Sequence, residues 1–366
     1  MADPHKKSAV LPPHTFLKYS KLPYRCRQPE NTARRLPGQP ESRITVFQAA
    51  FARSPAAQAA SERNALFGYN RPLFRQPENI FPALFANQTT SELPMSQSNP
   101  VLNTAYKAAR RAGDMMLRAA GNLSAVKVDS KAFNDFVSEV DRESEHIITA
   151  MLQEAYPHHK ITAEESGTTG RSNAEYEWII DPLDGTANYL HGHPQYAVSM
   201  ALLHKGVLQE ALVYAPARNE LYTASRGHGA QLDGRRIRVS TRTDLAHSLI
   251  GTGFPVVDQS VTGRYLAILK DFIAKTAGAR REGAAALDLC SVAAGRFDGF
   301  FEFNLKPWDI AAGALIVQEA GGIVTDMQGD ESWLATGNIV AANPKILAQM
   351  LKTIAAHPER QAESPL

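Results

Sequence analysis

The 366-residue sequence predicts a layered α/β body over residues 95–366, preceded by a basic, proline-rich extension over residues 1–94. Three observations predict it. Composition breaks at Met95: residues 1–94 carry 13 Lys and Arg against 6 Asp and Glu and hold 12 of the 22 prolines, whereas residues 95–366 carry 26 basic and 31 acidic residues. Beyond the break, apolar residues recur at helical spacing or in short runs bounded by turn residues, the signals of helices and strands. The strands come first in pairs that look antiparallel and then alternate with helices, which is the order of layered α/β proteins and not of bundles.

Val101–Ala120 reads as a helix, with Leu102, Ala105, Ala109, Ala112, Met116 and Ala119 at roughly helical spacing. Arg142–Tyr156 reads as a second, stopped by Pro157. Short apolar runs at Glu177–Ile180, Ala197–Leu203 and Val207–Tyr214 read as strands, with Lys205-Gly206 as a tight turn between the last two. Further strands are expected at Leu249–Gly253, Gly299–Glu302, Gly322–Thr325 and Ile339–Ala341. Helices are expected at Ala284–Ala294, Trp308–Ala320 and Pro344–Ile354.

Hydrophobic residues make up 44% and charged residues 21%, which excludes a wholly disordered, collagen-like or disulfide-framework chain. The two cysteines, Cys26 and Cys290, lie too far apart in sequence to form a metal-ligand pair and suggest a reducing cytoplasm. Cys290 sits inside an apolar helix and reads as core. No apolar run reaches the roughly 20 residues of a membrane helix. Pro12-Pro13 interrupt the one early apolar run, so no signal peptide is visible.

The extension has a net charge of +7 and the body −5. The extension repeats Arg27-Gln28-Pro29-Glu30-Asn31 as Arg75-Gln76-Pro77-Glu78-Asn79, which looks more like translated upstream DNA than a selected element. It is expected to be a mis-assigned start, Met95 being an alternative one, or else disordered; a targeting arm or a tether for an acidic partner is the rival reading. Residues 95–366 expressed alone should therefore fold and keep full activity. Loss of either, or a native N-terminus at residue 1 or 2 by mass spectrometry, would refute this.

The carboxylates carry the chemistry. In Trp178-Ile179-Ile180-Asp181-Pro182-Leu183-Asp184-Gly185-Thr186 an apolar strand is expected to end at Asp181, with Asp184 one turn further on, so that both side chains converge. Two hard oxygen ligands at a strand end suit Mg²⁺. Gly185 and Thr186 then offer main-chain N–H groups to a phosphate where a helix begins. The alternative is an acidic turn with Asp184 as a helix N-cap. Glu164-Glu165 closes a short apolar segment before Gly167, and Asp309 opens an alanine-rich helix. Asp141 stands just before a helix. Each of these alone reads as a solvated loop or a cap. Gathered together, such acids would need cations.

The set Ala163-Glu164-Glu165-Ser166, Asp181-Pro182-Leu183-Asp184-Gly185-Thr186 and Trp308-Asp309-x-Ala311-Ala312-Gly313 resembles the inositol monophosphatase family over about residues 97–355. Asn134-Asp135-Phe136-Val137, Thr252-Gly253-Phe254-Pro255 and Ala285-Ala286-Leu287-Asp288-Leu289 bring it nearest to the family's bacterial SuhB-type branch. The resemblance implies an inositol monophosphatase/fructose-1,6-bisphosphatase-like fold, an α+β layered sandwich. Helix and sheet layers alternate in two subdomains that meet near residues 235–245, with the metals at their junction.

The resemblance also implies residue roles. Glu164, Asp181, the main-chain oxygen of Leu183, Asp184 and Asp309 would hold two or three Mg²⁺ ions. Glu164 and Thr186, the latter held by Asp141, would orient and deprotonate the attacking water. Leu183, Asp184, Gly185, Thr186, Arg280, Ala285, Glu302 and Asp309 would contact substrate, with Glu302 on inositol hydroxyls. Ala284 stands where the family has Thr or Ser, so a polar contact is missing there.

The activity implied is Mg²⁺-dependent hydrolysis of myo-inositol monophosphate without a covalent intermediate, sensitive to Li⁺, in a cytoplasmic homodimer. Three alternatives remain open. One is another phosphatase of the superfamily, acting on fructose 1,6-bisphosphate, a nucleotide 3′-phosphate or histidinol phosphate. Another is a binding role in transcription antitermination, although the acidic body does not resemble a nucleic-acid surface. The last is zinc at His191-Gly192-His193, a weak signal without a third soft ligand.

Overall fold

The computed structural model describes residues 99–123, 126–132, 135–255 and 259–358, and all of them lie within the unit Gln88–Leu366. The expectations for residues 1–94, with Cys26, and for Met95 and Asn134 fall outside the described residues.

Helix α1, Pro100–Ala120, starts where Asn99 accepts from the N–H groups of Val101 and Leu102. A short hairpin follows, β1 (Val128–Ala132) against β2 (Asp135–Ser138). Helix α2 runs Glu139–Ala155 and is opened by a Ser138/Asp141 capping box. Asp141 therefore lies in the first turn of the helix, which begins three residues earlier than expected.

Strands β3 (Lys160–Ala163), β4 (Gly167–Thr169), β5 (Tyr176–Asp184), β6 (Ala197–His204), β7 (Val207–Ala215), β8 (Glu220–Ser225), β9 (Gly229–Leu232) and β10 (Arg235–Arg236) form one eight-stranded sheet in the order β10-β9-β8-β7-β6-β5-β3-β4. All its pairings are antiparallel except β3 with β5. The short helix α3, Thr186–Leu190, branches off after β5.

The chain then passes to a five-stranded sheet. Its strands are β11 (Leu249–Thr252), β12 (Gly278–Arg280), β13 (Gly299–Glu302), β14 (Ile323–Thr325) and β15 (Ile339–Ala342), in the order β12-β11-β13-β15-β14. Between them come helices α4 (Thr262–Lys275), α5 (Ala285–Ala293), α6 (Pro307–Glu319) and α7 (Trp333–Thr336), and α8 (Pro344–Ala355) closes the described chain.

Three apolar cores stack these elements into five layers. On β6, Val198, Met200 and Leu202 pack with α1 and α2, while Ala197, Ala201 and Leu203 face α5 and α6. This period of two, with both faces covered, explains why the strand reads as an unbroken apolar run. On β13 and β15 the alternation repeats: Phe300, Ile339 and Ala341 join the α5/α6 core, and Phe301, Val340 and Ala342 join a third core with Tyr265, Ile268 and Phe272 of α4 and Ile346 and Met350 of α8. The order of layers is thus α1/α2, eight-stranded sheet, α5/α6, five-stranded sheet, α4/α8. Helix α6 is apolar on all sides because it is covered on all sides, with Ile310 to Val317 buried without a break.

Candidate active site

Strand β5 delivers the central acids, by a route that corrects the sequence reading. It does not end at Asp181 but continues to Asp184. Asp181 pairs with Ser199 and Asp184 with Ala197, so three steps along β5 oppose two along β6. One residue is extra, and the bulge absorbs Pro182, which has no N–H to give to a ladder. The Asp181 carboxylate accepts from Leu183 N at 2.9 Å, which fixes the turn of the bulge.

Gly185 follows with φ 87°, a left-handed conformation that favours glycine, and opens α3. A Cβ there would stand 2.8 Å from Gln195 O and 3.3 Å from Ala284 Cβ. The glycine thus lets the β5–α3 turn close onto the start of α5.

Asp184 makes the link from its own side. Its Oδ2 accepts from Ala286 N at 2.8 Å, so the buried carboxylate caps the N-terminus of α5 from another element. The N-cap position of α5 is Ala284, which supplies no side-chain bond. The alternative reading, Asp184 as N-cap of its own following helix, does not hold, because the N-cap of α3 is Gly185.

Thr186 Oγ1 lies 2.7 Å from Asp141 Oδ1 and 3.1 Å from the Leu183 carbonyl, and its single proton goes to the nearer acceptor. The other oxygen of Asp141 accepts from Ser138 N at 2.8 Å. Asp141 therefore both caps α2 and holds Thr186. Asp309 has a similar double role: it caps the first turn of α6 by accepting from Lys306 N at 2.7 Å, and it faces the same cavity as Asp184.

Two residues absent from the sequence reading hold this frame. Ser144 Oγ donates to Pro182 O at 2.7 Å. The buried Glu145 accepts from Glu165 N at 2.8 Å and Ser166 N at 2.9 Å, anchoring the loop that carries Glu164. With Asp141 they form one face of α2 at spacings of three and four. That spacing was the available signal.

A cavity of about 250 Å³ gathers the site. Glu164, Asp181, Asp184, Glu302 and Asp309 line it together with Leu183, Gly185, Thr186, Ala284 and Ala285. Arg280 is not among its walls. Arg280 is exposed, with Nη1 on Ala279 O at 3.0 Å, and the arginine facing the cavity is Arg281. The physical reason is the alternation of an extended chain, where one residue reverses the side chain's direction. The Arg281 guanidinium also lies 5.1 Å from the Phe254 ring centre. Glu302 packs its carboxylate against Gly253, where any Cβ would collide with it.

Burial and mutual repulsion dominate the electrostatics. Burial, then the charges of Glu164, Asp184 and Asp309, raise Asp181 well above the usual carboxylate range. Burial pushes Asp184 up to about 7, against the stabilising N–H of Ala286. Burial and then the charge of Asp184 push Asp309 up to about 7. Burial followed by Asp309 pushes Glu302 up to about 8. Asp141 is raised by burial, against the hydrogen bonds from Ser138 and Thr186.

Among the described residues no three His, Cys, Asp or Glu side chains are drawn together as a finished coordination shell. The donor set is nevertheless that of a hard cation. Glu164, Asp181, Asp184 and Asp309 offer carboxylate oxygens to one cavity, and the charges of the other three raise the proton affinity of Asp181 there. This fits Mg²⁺, which binds few protein carboxylates and retains several waters. Zinc does not fit: His191 and His193 are exposed and outside the cavity, and His191 Nδ1 is taken by Ala187 O at 2.7 Å.

The profile of the inositol monophosphatase family matches residues 97–359. The chain belongs to the inositol monophosphatase family. Among relatives of this family member, a protein of Neisseria meningitidis serogroup B described as "Putative Nus factor SuhB" is 78% identical over 259 residues, 71% of this chain and 99% of that protein. The "Nus factor SuhB" of Escherichia coli K12 is 47% identical over 253 residues, 69% of this chain and 95% of that protein. Among solved structures of the inositol monophosphatase fold, the extragenic suppressor protein SuhB of Bartonella henselae aligns with a TM-score of 0.68 at 42% identity, covering 70% of this chain and 98% of that one. An IMPase of Thermotoga maritima aligns with a TM-score of 0.64 at 35% identity, covering 70% and 96%.

Proposed function

We propose that the chain is a Mg²⁺-dependent phosphomonoesterase that hydrolyses myo-inositol monophosphate to inositol and phosphate through an activated water. The observation that carries this reading is the cavity where Glu164, Asp181, Asp184 and Asp309 face the Thr186–Asp141 pair. Mg²⁺, when bound by these carboxylates and the Leu183 carbonyl, supplies charge neutralisation for the phosphate and activation of water. With its proton committed to Asp141, Thr186 Oγ1 has lone pairs free to accept a hydrogen bond from the attacking water. Glu164 orients that water and takes its proton. The raised proton affinity of Asp141 lets it share a proton with Thr186 more readily than a solvated Asp would. Gly185 and Thr186 let the phosphate approach the main chain. Among the described residues neither Cys nor Ser lines the cavity, and Cys290 is buried in α5, its thiol pushed up by burial, so a thiol nucleophile is not at hand.

A phosphate-release screen over sugar, inositol and nucleotide monophosphates with Mg²⁺ tests the reading. The highest kcat/KM should fall on myo-inositol monophosphate. Preference for a sugar bisphosphate or a nucleotide would assign the chain to another branch of the superfamily.

Glu302→Ala is expected to raise KM for inositol phosphates by about tenfold or more and for simple aliphatic phosphomonoesters far less, because its carboxyl meets ring hydroxyls and not phosphate. Equal losses on both would make Glu302 structural. Millimolar Li⁺ is expected to inhibit turnover by occupying the Asp181/Asp184/Asp309 position with too little charge to complete the reaction. An unchanged rate when Li⁺ replaces Na⁺ at equal ionic strength would count against that.

A second reading rests on the 78% identity to a protein described as a putative Nus factor. It is a contact with the transcription machinery, carried by the surface and not by the cavity. A pull-down against RNA polymerase and its elongation factors tests it, and Asp184→Asn should leave any such binding intact. A homodimer in the cytoplasm completes the proposal, to be checked by light scattering and cell fractionation. Among the described residues no helix is long and apolar enough to cross a membrane.

A further inference from the structure

The stretch from Arg235 to Arg242 carries Arg235, Arg236, Arg238 and Arg242 and no acidic residue, on a body whose net charge is −5. It leaves β10 and runs past the end of α6 and the start of α8. Val239 N donates to Ala320 O at 3.1 Å, and Asn343 Nδ2 donates to Ser240 Oγ at 3.0 Å and Arg242 O at 3.1 Å. The strap is therefore pinned, and it walls a second cavity of about 390 Å³ that shares no residue with the carboxylate cavity. Val239, Ala320 and Pro344 give this cavity apolar walls, and Arg238, Arg242 and Lys345 bring three cations to it. Arg242 Nε lies 3.2 Å from the buried Asp298, which holds that side chain in place. Among the described residues Arg238 and Lys345 have no acidic partner; Arg238 Nη1 donates to the neighbouring Ile237 O.

We propose that this cavity docks an acidic segment of a partner protein, with its carboxylates on Arg238, Arg242 and Lys345 and one apolar side chain against Val239, Ala320 and Pro344. Arginine forks match carboxylates in a paired geometry, and the apolar walls add a contact that salt does not screen. Charge complementarity selects the occupant. The chain's own residues 1–94 are basic and would be repelled. Single-stranded nucleic acid is less well matched, because among the described residues no aromatic ring lines the cavity for a base to stack on. The inference stands apart from the phosphatase reading and survives its failure.

The test uses the full chain and fluorescence anisotropy with a short fluorescein-labelled peptide of Asp, Glu and Leu. The comparison probes are its Asn/Gln/Leu counterpart and a short labelled single-stranded RNA. The acidic peptide should bind, its neutral counterpart should not, and added salt should weaken binding. Arg238→Ala combined with Lys345→Ala should lower affinity by about tenfold, the sum of two partly exposed ion pairs. Phosphate release and thermal unfolding should stay at wild-type values. Arg242 is left in place so that Asp298 keeps its partner, and Arg238→Lys with Lys345→Arg should retain binding. Failure of the acidic peptide to bind, equal binding of the neutral peptide, unchanged affinity in the double variant, or tighter binding of the RNA would each overturn the proposal.

Discussion

Asp184→Asn is expected to lower kcat/KM for phosphate release by more than ~100-fold while the protein stays folded. The two halves of this expectation have separate causes. The side chain reaches the α5 N-terminus through Oδ2, at 2.8 Å from Ala286 N. Asparagine retains one carbonyl oxygen that can accept that bond, so the cap survives. It brings an NH₂ group in place of the second oxygen and removes a charge from the cavity. A hard cation then loses a ligand, and the remaining acids lose a neighbour that repels them. Thermal unfolding should be unchanged or slightly higher, and Mg²⁺ affinity by calorimetry should fall. Wild-type turnover in the folded variant would refute the assignment of Asp184.

Gly185→Ala should damage both stability and activity. The residue's φ of 87° costs any L side chain roughly 1–2 kcal/mol. Its Cβ would also press on Gln195 O and the Ala284 side chain, at 2.8 and 3.3 Å. Relief requires α3 to move away from α5. That movement displaces Thr186 from Asp141 and Asp184 from Ala286 together. A loss of about 2–3 kcal/mol in unfolding free energy and nearly all phosphatase activity is expected. As a control, Gly206 also has positive φ, but its Cβ would meet nothing, so Gly206→Ala should cost only the backbone strain and leave turnover intact. Equal activity losses in the two variants would show that strain alone, and not the approach of α3 to α5, explains the effect.

The site was legible where its determinants are local in sequence. Asp181, Asp184 and Gly185 carry the central charges and the tight turn within five residues, although the bulge at Pro182 that places them reads in the sequence as the end of the strand. Asp141 and Asp309 lie in the first turns of α2 and α6, where alone they read as caps, and only the family resemblance gives them site roles. Glu145 was missed because an acid in the middle of an amphipathic helix looks solvated, and only the approach of the Glu165–Ser166 main chain makes it an acceptor. Arg281 was missed because the family resemblance puts the arginine at Arg280, and in an extended segment a shift of one residue exchanges the two faces.

The fold shows the same division. Strands β5, β6 and β7 read clearly because both their faces are buried. Strands β8 and β9 did not, since Glu220–Ser225 and Gly229–Leu232 mix polar residues into short runs. Helix α4 was missed although Tyr265, Ile268 and Phe272 are buried at helical spacing, because Leu266 and Ile273 on its exposed side blur the pattern.

The helices α5 and α6 lie between the two sheets, and this has a consequence for how the chain is made. Their residues close the inner face of the eight-stranded sheet, yet they are synthesised last among its partners. When the ribosome finishes β9 at Leu232, the covering layer that ends at Glu319 is still about 90 residues away. At ~5–20 residues per second that is roughly 4–17 s during which Ala201, Leu203, Val213 and Tyr222 have no permanent cover. The nascent sheet is thus the species most exposed to aggregation, and the one a holding chaperone would meet. Variants that slow translation after residue 232 should lower soluble yield more than equal pauses before β5, with no change in the stability of the finished protein.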